Sequence, residues 1–593
     1  MKTTIARITL LCTAAAAALH ASAQSLQKEI TVRHESAPER IDSRRLPLNP
    51  LVTLPKSTAS NLRYSSRDIR IDVPQTLTTL APASYGDTLP YSPFRGYASL
   101  GFMTPFNLDL SAGYKLLDSD RTRLNAWLQY NATTYRHDDR SHGYVRRHTA
   151  TAGLSLRRAV GRESYIDASL DYTFARYNTP PFDSHVTKYP YQTVHRLNAS
   201  ALWSLSRSEF FCGIGAAYSR FAFANEIPEI GFLDGSNLSR ATSTDPHKAS
   251  ENVGRIMASL GAYTSESSHL GIDLDLSLVA NSESSSLDWA QTSLSNNALV
   301  QRIDGGRDSW THGLATFLPY YRLASEQLDL RLGARVQLTI NSGKAFHIAP
   351  DASATWHPSS SFNFYVKAGG GEVQNTLASL YDVTPYTTSL LTYGNSHVPI
   401  TAEAGFTLGP WRGAYVGVSA TMARANDWLM PVANNHSDLV TWFHPVDMKG
   451  YKLAINAGYT YRSLLALTLR AEMAPQKYDK GYYLWRDRAR YVFDAALTVT
   501  PIKPLDITVG WTYRGKRSQA EIWGTGDFES PAFRSVLHPL GNISDLHLDV
   551  AYRFNSRWSA FGSASNLLNR KYTLIGLMPA QGIHGLVGAN YNF

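Results

Sequence analysis

The sequence is poor in cysteine and in long apolar runs, and each shortage excludes a class of protein. Only two of its 593 residues are cysteines, and Cys12 lies in the N-terminal segment discussed below. Cys212 therefore has no partner for an intramolecular disulfide, and a cysteine-based metal site is excluded. Beyond residue 23 we find no run of about 18 apolar residues, which argues against membrane-spanning helices.

Charge is also scarce. Charged residues make up 18% of the chain, below the share of about 25% that is usual for soluble proteins. The formal net charge of +9 comes without a dense block of Lys or Arg, so nucleic acid is not an expected partner. Aromatic residues reach 11%, which is too many for a chain that is disordered throughout.

The first 23 residues have the features of a secretory signal peptide. Lys2 and Arg7 form a basic start, residues 8–19 are apolar, and Ala21-Ser22-Ala23 offers small residues for cleavage. We expect cleavage after Ala23 and export of the remainder.

Residues 24–93 contain eight prolines and no sustained periodicity. Each proline pushes the residue before it towards extended conformations. We expect an extended periplasmic N-terminal segment here, ahead of a single domain that spans residues 94–593.

From residue 94 onward apolar and polar residues alternate. In 328–338, every second residue is apolar and the intervening positions are Asp329, Arg331, Gly333, Arg335 and Gln337. Alternation with a period of two predicts strands with one apolar and one polar face.

A secreted multi-domain β protein would alternate as well, and it remains the alternative interpretation. Two features favour a membrane barrel. The alternating segments are about ten residues long, which suits a tilted membrane strand, and aromatic residues collect at their ends, as in the girdles of outer-membrane barrels. We predict an all-β fold, a transmembrane antiparallel β-barrel of 22 strands, although counting leaves 20 or 24 open.

The polar strand faces would line the lumen of this barrel. Candidate lining residues are Asp329, Arg331, Arg335, Arg514 and Asp549. Both signs of charge are present, so they predict no selectivity. The sequence lacks the H-E-x-x-H, G-x-S-x-G and Walker A motifs, and we expect no enzyme activity, no cofactor and no metal site.

Five long polar stretches are predicted to be external loops. They are 224–249, 281–309, 374–398, 426–446 and 515–541. The intervening turns should be short and periplasmic.

The C-terminus carries the sharpest local signal. The chain ends in an alternating segment that includes Tyr591 and the terminal Phe593. This ending resembles the C-terminal signal of bacterial outer-membrane barrels. The resemblance implies assembly by the barrel assembly machinery and insertion into outer-membrane lipid.

Further segments resemble the TonB-dependent outer-membrane receptors. Residues 558–572, with Asn566-Leu567-Leu568-Asn569, resemble the family's penultimate strand, and Pro579-Ala580-Gln581-Gly582 resembles the approach to its last strand. Residues 364–381 and 400–406 resemble an upstream strand and loop and the strand that follows. The resemblance implies a receptor in the cell outer membrane of a Gram-negative bacterium.

The family also carries an N-terminal plug of well over a hundred residues inside its barrel. Only residues 24–93 lie between the predicted cleavage site and the first predicted strand, so we expect the plug to be reduced or absent. Within this segment Glu29, Ile30, Thr31 and Val32 resemble the TonB box, which pairs with TonB as an added strand. An ordinary extended tail, or a docking strip for another periplasmic protein, are the alternatives.

Together these features predict a barrel of TonB-dependent-receptor type that binds or passes a solute across the outer membrane. The alternative is a plugless structural barrel that anchors a periplasmic or surface complex and transports nothing.

Overall fold

The computed structural model describes residues 94–103, 106–136, 144–178, 191–224, 231–234, 237–240, 249–282, 309–387, 393–434, 441–474, 476–478, 489–523, 534–575 and 578–593. The predicted signal peptide, the segment 24–93 and the TonB-box-like residues lie outside these ranges. Their boundaries and roles stay predictions.

Almost all of the described chain is β-strand. The first strands are β1 (Gly96–Met103), β2 (Asn107–Asp118), β3 (Thr122–Arg136), β4 (Tyr144–Ala159), β5 (Ser164–Asn178), β6 (Tyr191–Ser206), β7 (Phe210–Phe223), β8 (Gly231–Asp234), β9 (Asn237–Arg240) and β10 (Ser250–Ser265). They are followed by β11 (Ser268–Ser282), β12 (Ser309–Ala324), β13 (Leu328–Ile340), β14 (Phe346–Ser359), β15 (Phe362–Val373), helix α1 (Leu377–Val383), β16 (Ser396–Trp411), β17 (Ala414–Asn434) and β18 (Thr441–Tyr461). The last are β19 (Leu465–Met473), β20 (Gln476–Tyr478), β21 (Tyr491–Ile502), β22 (Leu505–Gly515), β23 (Arg517–Trp523), β24 (Arg534–Leu540), β25 (Ile543–Arg553), β26 (Trp558–Ser565), β27 (Thr573–Ile575), β28 (Met578–Pro579) and β29 (His584–Asn592).

These strands form a closed antiparallel barrel of 22 strands. Each wall strand pairs with its neighbour along the chain, and β1 pairs with β29 to close the wall. The short strand β20 pairs with β18. The strands β23 and β24 follow β22 and precede β25, and they pair with each other as a hairpin. The small hairpins β8–β9 and β27–β28 lie outside the main sheet. Among the described residues, no helix is long and apolar enough to span a membrane.

The two ends of the barrel differ. At one end short turns connect the strands, such as 266–267, 360–361 and 412–413, and the C-terminus lies at this end too. We call it the turn end, and the opposite end, with most of the long connections, the loop end. In outer-membrane barrels short turns face the periplasm and long loops face the exterior.

The outer face of the wall is apolar. On β11 the side chains of Leu270, Ile272, Leu274, Leu276 and Leu278 are between 37% and 53% exposed. A row of exposed large aliphatic side chains needs an apolar surrounding, because water would oppose its exposure. Lipid supplies that surrounding for a barrel wall. Exposed aromatic side chains lie near the turn end, among them Trp411, Tyr461, Phe554 and Trp558.

The structure confirms the predicted fold class and the count of 22 strands. It also shows that the strands extend further than the sequence suggested. Both β17 and β18 are 21 residues long, so the prediction of a loop at 426–446 is wrong for most of that range. The cause is continued backbone pairing from Trp428↔Val446 to Ala433↔Thr441, which carries this hairpin well beyond the length that a membrane requires.

Candidate functional site

A cluster of charged side chains lies on the face of β11–β14 opposite the exposed leucines. Arg331 makes ion pairs with Asp351 at 2.9 Å and with Asp273 at 3.6 Å. Its guanidinium carbon lies 3.9 Å from the ring centroid of Tyr320. Arg335 approaches Asp351 at 3.3 Å. Each charged side chain in the cluster pairs with one of opposite charge. The cluster therefore holds its members in place and presents no surface of a single charge sign.

The other predicted lining residues lie in separate places. Asp329 pairs with Arg322 at 3.0 Å close to the turn end of β13. Arg514 pairs with Asp494 at 2.8 Å across β21 and β22. Asp549 lies on β25 in register with Thr508 and Ser563. Of the five residues, then, the structure brings only Arg331 and Arg335 into one cluster.

The connection between β15 and β16 does not project outward as predicted for 374–398. We call residues 374–395 the inward loop. Its described parts, 374–387 and 393–395, contact inward-facing side chains of strands on other parts of the wall. Its helix α1 begins at the N-cap Thr376, which forms a capping box with Ser379. It ends at Thr384 because Pro385 disfavours a helical conformation for the residue before it.

Aromatic side chains hold this loop at the loop end of the barrel. Phe221 and Phe223 on β7 are each 2% exposed, and the ring of Tyr381 lies 5.2 Å from that of Phe221. The hydroxyl of Tyr177 on β5 donates a hydrogen bond to the carbonyl of Pro385. Burial raises the pKa of Tyr381 to about 12, so this ring stays neutral at physiological pH. The cluster is a small apolar core on the inner face of the wall.

A buried carboxylate fastens the start of the helix. Glu251 on β10 is 1% exposed and accepts a hydrogen bond of 2.6 Å from the backbone N–H of Leu377. The hydroxyl of Tyr393, at the far end of the inward loop, donates to the same carboxylate, and its oxygen lies 2.9 Å from the side-chain amide of Asn281. One acidic side chain therefore holds both ends of the loop against the wall.

Two neutral polar contacts and one ion pair complete the attachment. Ser277 donates to Gln374 at 2.6 Å, and the imidazole Nε2 of His312 lies 3.1 Å from the carbonyl oxygen of Asn375. Arg196 forms an ion pair of 3.0 Å with Asp382, whose side chain is 54% exposed. The inward loop is thus attached to β5–β7 and to β10–β12 at the loop end.

A second group of side chains gathers at the base of the inward loop. His347 on β14, Glu372 on β15 and His397 on β16 place one ligand atom each within 4.8 Å of one another. The carboxylate oxygen Oε1 of Glu372 lies 3.1 Å from Nε2 of His347 and 2.7 Å from Nδ1 of His397. Within the described ranges this is the only group of three such side chains that could hold a metal ion.

A β-bulge directs Glu372 inward. On β15 Phe364 and Val366 are exposed on the lipid face, so strict alternation would place Glu372 on that face as well. The register shifts between the pairs Gly369↔Thr401 and Gly371↔Val398, where β16 has one more residue than β15. This bulge on β16 breaks the alternation, and Glu372 is buried in register with His397 instead. Gly371 has φ of 124°, a conformation that favours glycine.

The family-like motif near the C-terminus has a structural explanation. The side chain of Asn566, which is fully buried, donates to the carbonyls of Arg570 and Gln581 and accepts from the N–H of Arg570. Arg517 donates to the carbonyls of Thr573 and Leu574 at 2.6 and 2.5 Å. These bonds hold the connection between β26 and β29, so the motif shapes a loop.

The terminal residue takes part in barrel closure. The carbonyl of Phe593 accepts the N–H groups of Arg95 and Gly96, and its own N–H donates to Gly96. Its ring stacks on those of Tyr591 and Tyr114, with centroids 5.8 and 6.0 Å apart. The predicted assembly residues therefore lie at the seam between the first and last strands.

Sequence reasoning missed Glu251, the inward loop and the group around Glu372. The only local signal for the last was the run Gly369-Gly370-Gly371 inside a strand pattern, which is typical of a bulge. Glu251 and Leu377 are 126 positions apart, and nothing in either local sequence indicates the contact.

Solved structures share this fold at low sequence identity. The siderophore receptor PirA from Acinetobacter baumannii aligns with a TM-score of 0.63 and 11% identity, over 84% of this chain and 80% of that one. The FrpB iron transporter from Neisseria meningitidis gives 0.63 and 12%, over 84% and 82%. The ferripyoverdine receptor of the outer membrane of Pseudomonas aeruginosa gives 0.58 and 12%, over 85% and 72%.

No protein-family model and no curated protein matches the sequence. At identities of 11–12% the structural likeness shows the fold alone. The barrel part has the 22-stranded fold of the TonB-dependent siderophore receptors, as the resemblance of its C-terminal segments predicts.

Proposed function

We propose that this chain is an outer-membrane barrel of TonB-dependent-receptor type that binds or passes a solute through its lumen. The observation that carries the proposal is the inward loop. A barrel that serves only as an anchor has no need of a buried carboxylate and an apolar core to hold a segment inside its mouth. Burying a carboxylate is costly unless it is hydrogen-bonded, and Glu251 accepts hydrogen bonds from Leu377 and Tyr393.

The inward loop offers a solute both apolar and polar contacts. Helix α1 buries Leu377, Ala378 and Leu380 and leaves Ser379 and Asp382 exposed. We propose that these exposed side chains contact the solute as it enters from the loop end. The similar structures are named as siderophore and iron receptors, so ferric siderophores are the first solutes to test. We propose no enzyme activity.

The remaining features complete the proposal. The signal peptide 1–23 is removed, the segment 24–93 lies in the periplasm, and the barrel is assembled into the outer membrane of a Gram-negative bacterium by the barrel assembly machinery. TonB or another periplasmic protein binds the segment 24–93. The residues Glu29, Ile30, Thr31 and Val32 supply the strand if that partner is TonB.

Single-channel conductance in planar bilayers tests the proposal. We would compare the mature chain, a variant with 376–392 replaced by a short Gly-Ser linker, a variant without 24–93, and the double variant. Removal of the inward loop should raise conductance, most clearly in the double variant, and a recognised solute should block the current. If all four proteins fold and none conducts, while a partner co-purifies through 24–93, the anchoring function is correct instead.

A further inference from the structure

We infer that His347, Glu372 and His397 form a binding site for a divalent first-row transition-metal ion, with Zn²⁺ as its representative. The site lies at the base of the inward loop. The inference does not rest on the proposed function, because it concerns three side chains on adjacent strands whether or not a solute passes.

The distances suit a metal ion after a small adjustment. Tetrahedral Zn²⁺ binds nitrogen and oxygen at about 2.0–2.2 Å, which separates neighbouring ligand atoms by about 3.3 Å. The carboxylate oxygen of Glu372 is 3.1 Å from one imidazole nitrogen and 2.7 Å from the other. The two imidazole centroids lie 4.4 Å apart. Movements within the range of side-chain rotation would give all three ligands bonding distances.

The site is buried and its polar atoms are poorly paired. The side chains of His347 and Glu372 are 8% and 4% exposed, and that of His397 is 24% exposed. Within the described residues, Oε1 of Glu372 and Nδ1 of His397 lie 2.7 Å apart, but neither makes a hydrogen bond of acceptable angle. Buried polar atoms with such poor hydrogen bonding are costly, and a cation between them would lower that cost.

The surrounding structure holds the carboxylate in place. Gln337, which is 3% exposed, accepts the N–H of Glu372 at 2.7 Å and donates to Thr316 at 3.1 Å. Arg335 donates to the carbonyl of Gly370 at 2.7 Å. These contacts fix the bulge that directs Glu372 inward. Outer contacts of this kind orient the ligands of metal sites.

The donor set selects the class of ion. Two imidazoles and one carboxylate suit Zn²⁺, Cu²⁺, Ni²⁺ and Fe²⁺, whereas Ca²⁺ and Mg²⁺ prefer oxygen ligands. Nε2 of His347 also lies 2.9 Å from the carbonyl of Lys344. Metal binding would replace that contact, because a coordinating nitrogen carries no proton. Three protein ligands leave positions open for water or a ligand atom of a solute.

The position of the site gives it a consequence for the inward loop. Glu372 precedes the loop and His397 follows it, and the two are directly paired in the strand register. A bound ion would therefore tie together the two ends of the segment that Glu251 and Tyr393 hold against the wall. Metal binding should slow the opening of the loop.

The test uses the mature chain, refolded without a histidine tag and treated with EDTA. Isothermal titration with Zn²⁺ gives stoichiometry and affinity, and Co²⁺ gives a visible absorption band that reports nitrogen ligands. The variants are Glu372→Gln, His397→Ala and the double variant. His357→Ala is the matched control, because His357 lies at the exposed turn end of the same strand as His347. Heat-modifiable migration on gels checks that each variant folds.

We expect the unmutated chain and the control to bind one Zn²⁺ each. Ca²⁺ and Mg²⁺ should not displace this ion. Glu372→Gln should weaken this binding at least about tenfold, and the double variant should lose both it and the Co²⁺ band. Zn²⁺ should slow hydrogen exchange of residues 376–387 in the unmutated chain and in the control, but not in the double variant. Equal Zn²⁺ binding by the folded double variant and the control would overturn the inference, as would the absence of binding to the unmutated chain.

Discussion

Replacing Glu251 tests whether named hydrogen bonds hold the inward loop in the barrel. In Glu251→Ala, the backbone N–H of Leu377 and the hydroxyl of Tyr393 both lose their charged acceptor. The N–H of Ala378 lies 3.5 Å from the same carboxylate, which is too far for a strong hydrogen bond. The aromatic contacts around Phe221 and the bond from Tyr177 remain, so the loop should open more often and still return.

The expected magnitude follows from the two bonds. A hydrogen bond to a charged group contributes about 1.5–3 kcal/mol. Two bonds would give about 3–6 kcal/mol, and we expect the lower limit of about 3 kcal/mol because Tyr393 keeps its contact with Asn281. That free energy corresponds to an increase on the order of 100-fold in the open population.

Hydrogen exchange measures this population directly. The N–H groups of Leu380 and Thr384 are bonded within α1, to Thr376 and Leu380, and not to Glu251. Their exchange should accelerate by about 100-fold in Glu251→Ala. Glu403→Ala is the control, because Glu403 accepts a bond of 2.7 Å from Tyr365 away from the loop. Unchanged exchange at Leu380 and Thr384 in a folded Glu251→Ala protein would refute the reasoning.

Three further predictions concern the wall, the seam and the N-terminal segment. Leu274→Arg places a charge on the lipid face and should lower the free energy of unfolding, measured with urea in lipid vesicles, by about 2–4 kcal/mol. Thr468→Arg, on the opposite face of the wall, should leave this free energy nearly unchanged. Equal losses in the two variants would contradict the assignment of faces. Deletion of Phe593 removes three backbone hydrogen bonds at the seam and should reduce the amount of folded, heat-modifiable barrel in outer membranes. Wild-type amounts of folded barrel would contradict this prediction. Ile30→Pro removes a backbone donor and should abolish energised uptake of a recognised solute without lowering barrel levels; normal uptake would show that this strand is not the TonB contact.

The wall of the barrel was predictable because its signal is repeated. Period-two alternation recurs in strand after strand, as in Leu270 to Leu278 on β11, so errors in single segments do not change the fold class. The ends of the strands were less predictable. Backbone pairing between β17 and β18 continues to Ala433↔Thr441 in a stretch whose polar side chains resemble a loop. Hydrogen bonds between main chains do not require an alternating sequence.

The inward loop could not be predicted for a different reason. Its contacts join residues that are far apart in the sequence: Tyr177 and Pro385 are separated by 208 positions. A polar segment between two strands has the same composition whether it faces water outside the barrel or inside it. Only the geometry of the closed wall brings the aromatic side chains of β5 and β7 opposite α1.

Arg335 connects the two parts of the lumen wall that matter most to these proposals. Its guanidinium makes an ion pair with Asp351 in the charged cluster, and it also donates to the carbonyl of Gly370 in the bulge that directs Glu372 inward. Alternation predicted only that these charged residues line the lumen. Their geometry adds a structural role, because the guanidinium of Arg335 that pairs with Asp351 on β14 also bonds the backbone of Gly370 on β15. The charged cluster therefore supports the base of the inward loop, and its balanced charges follow from that structural demand without any need for ion selectivity.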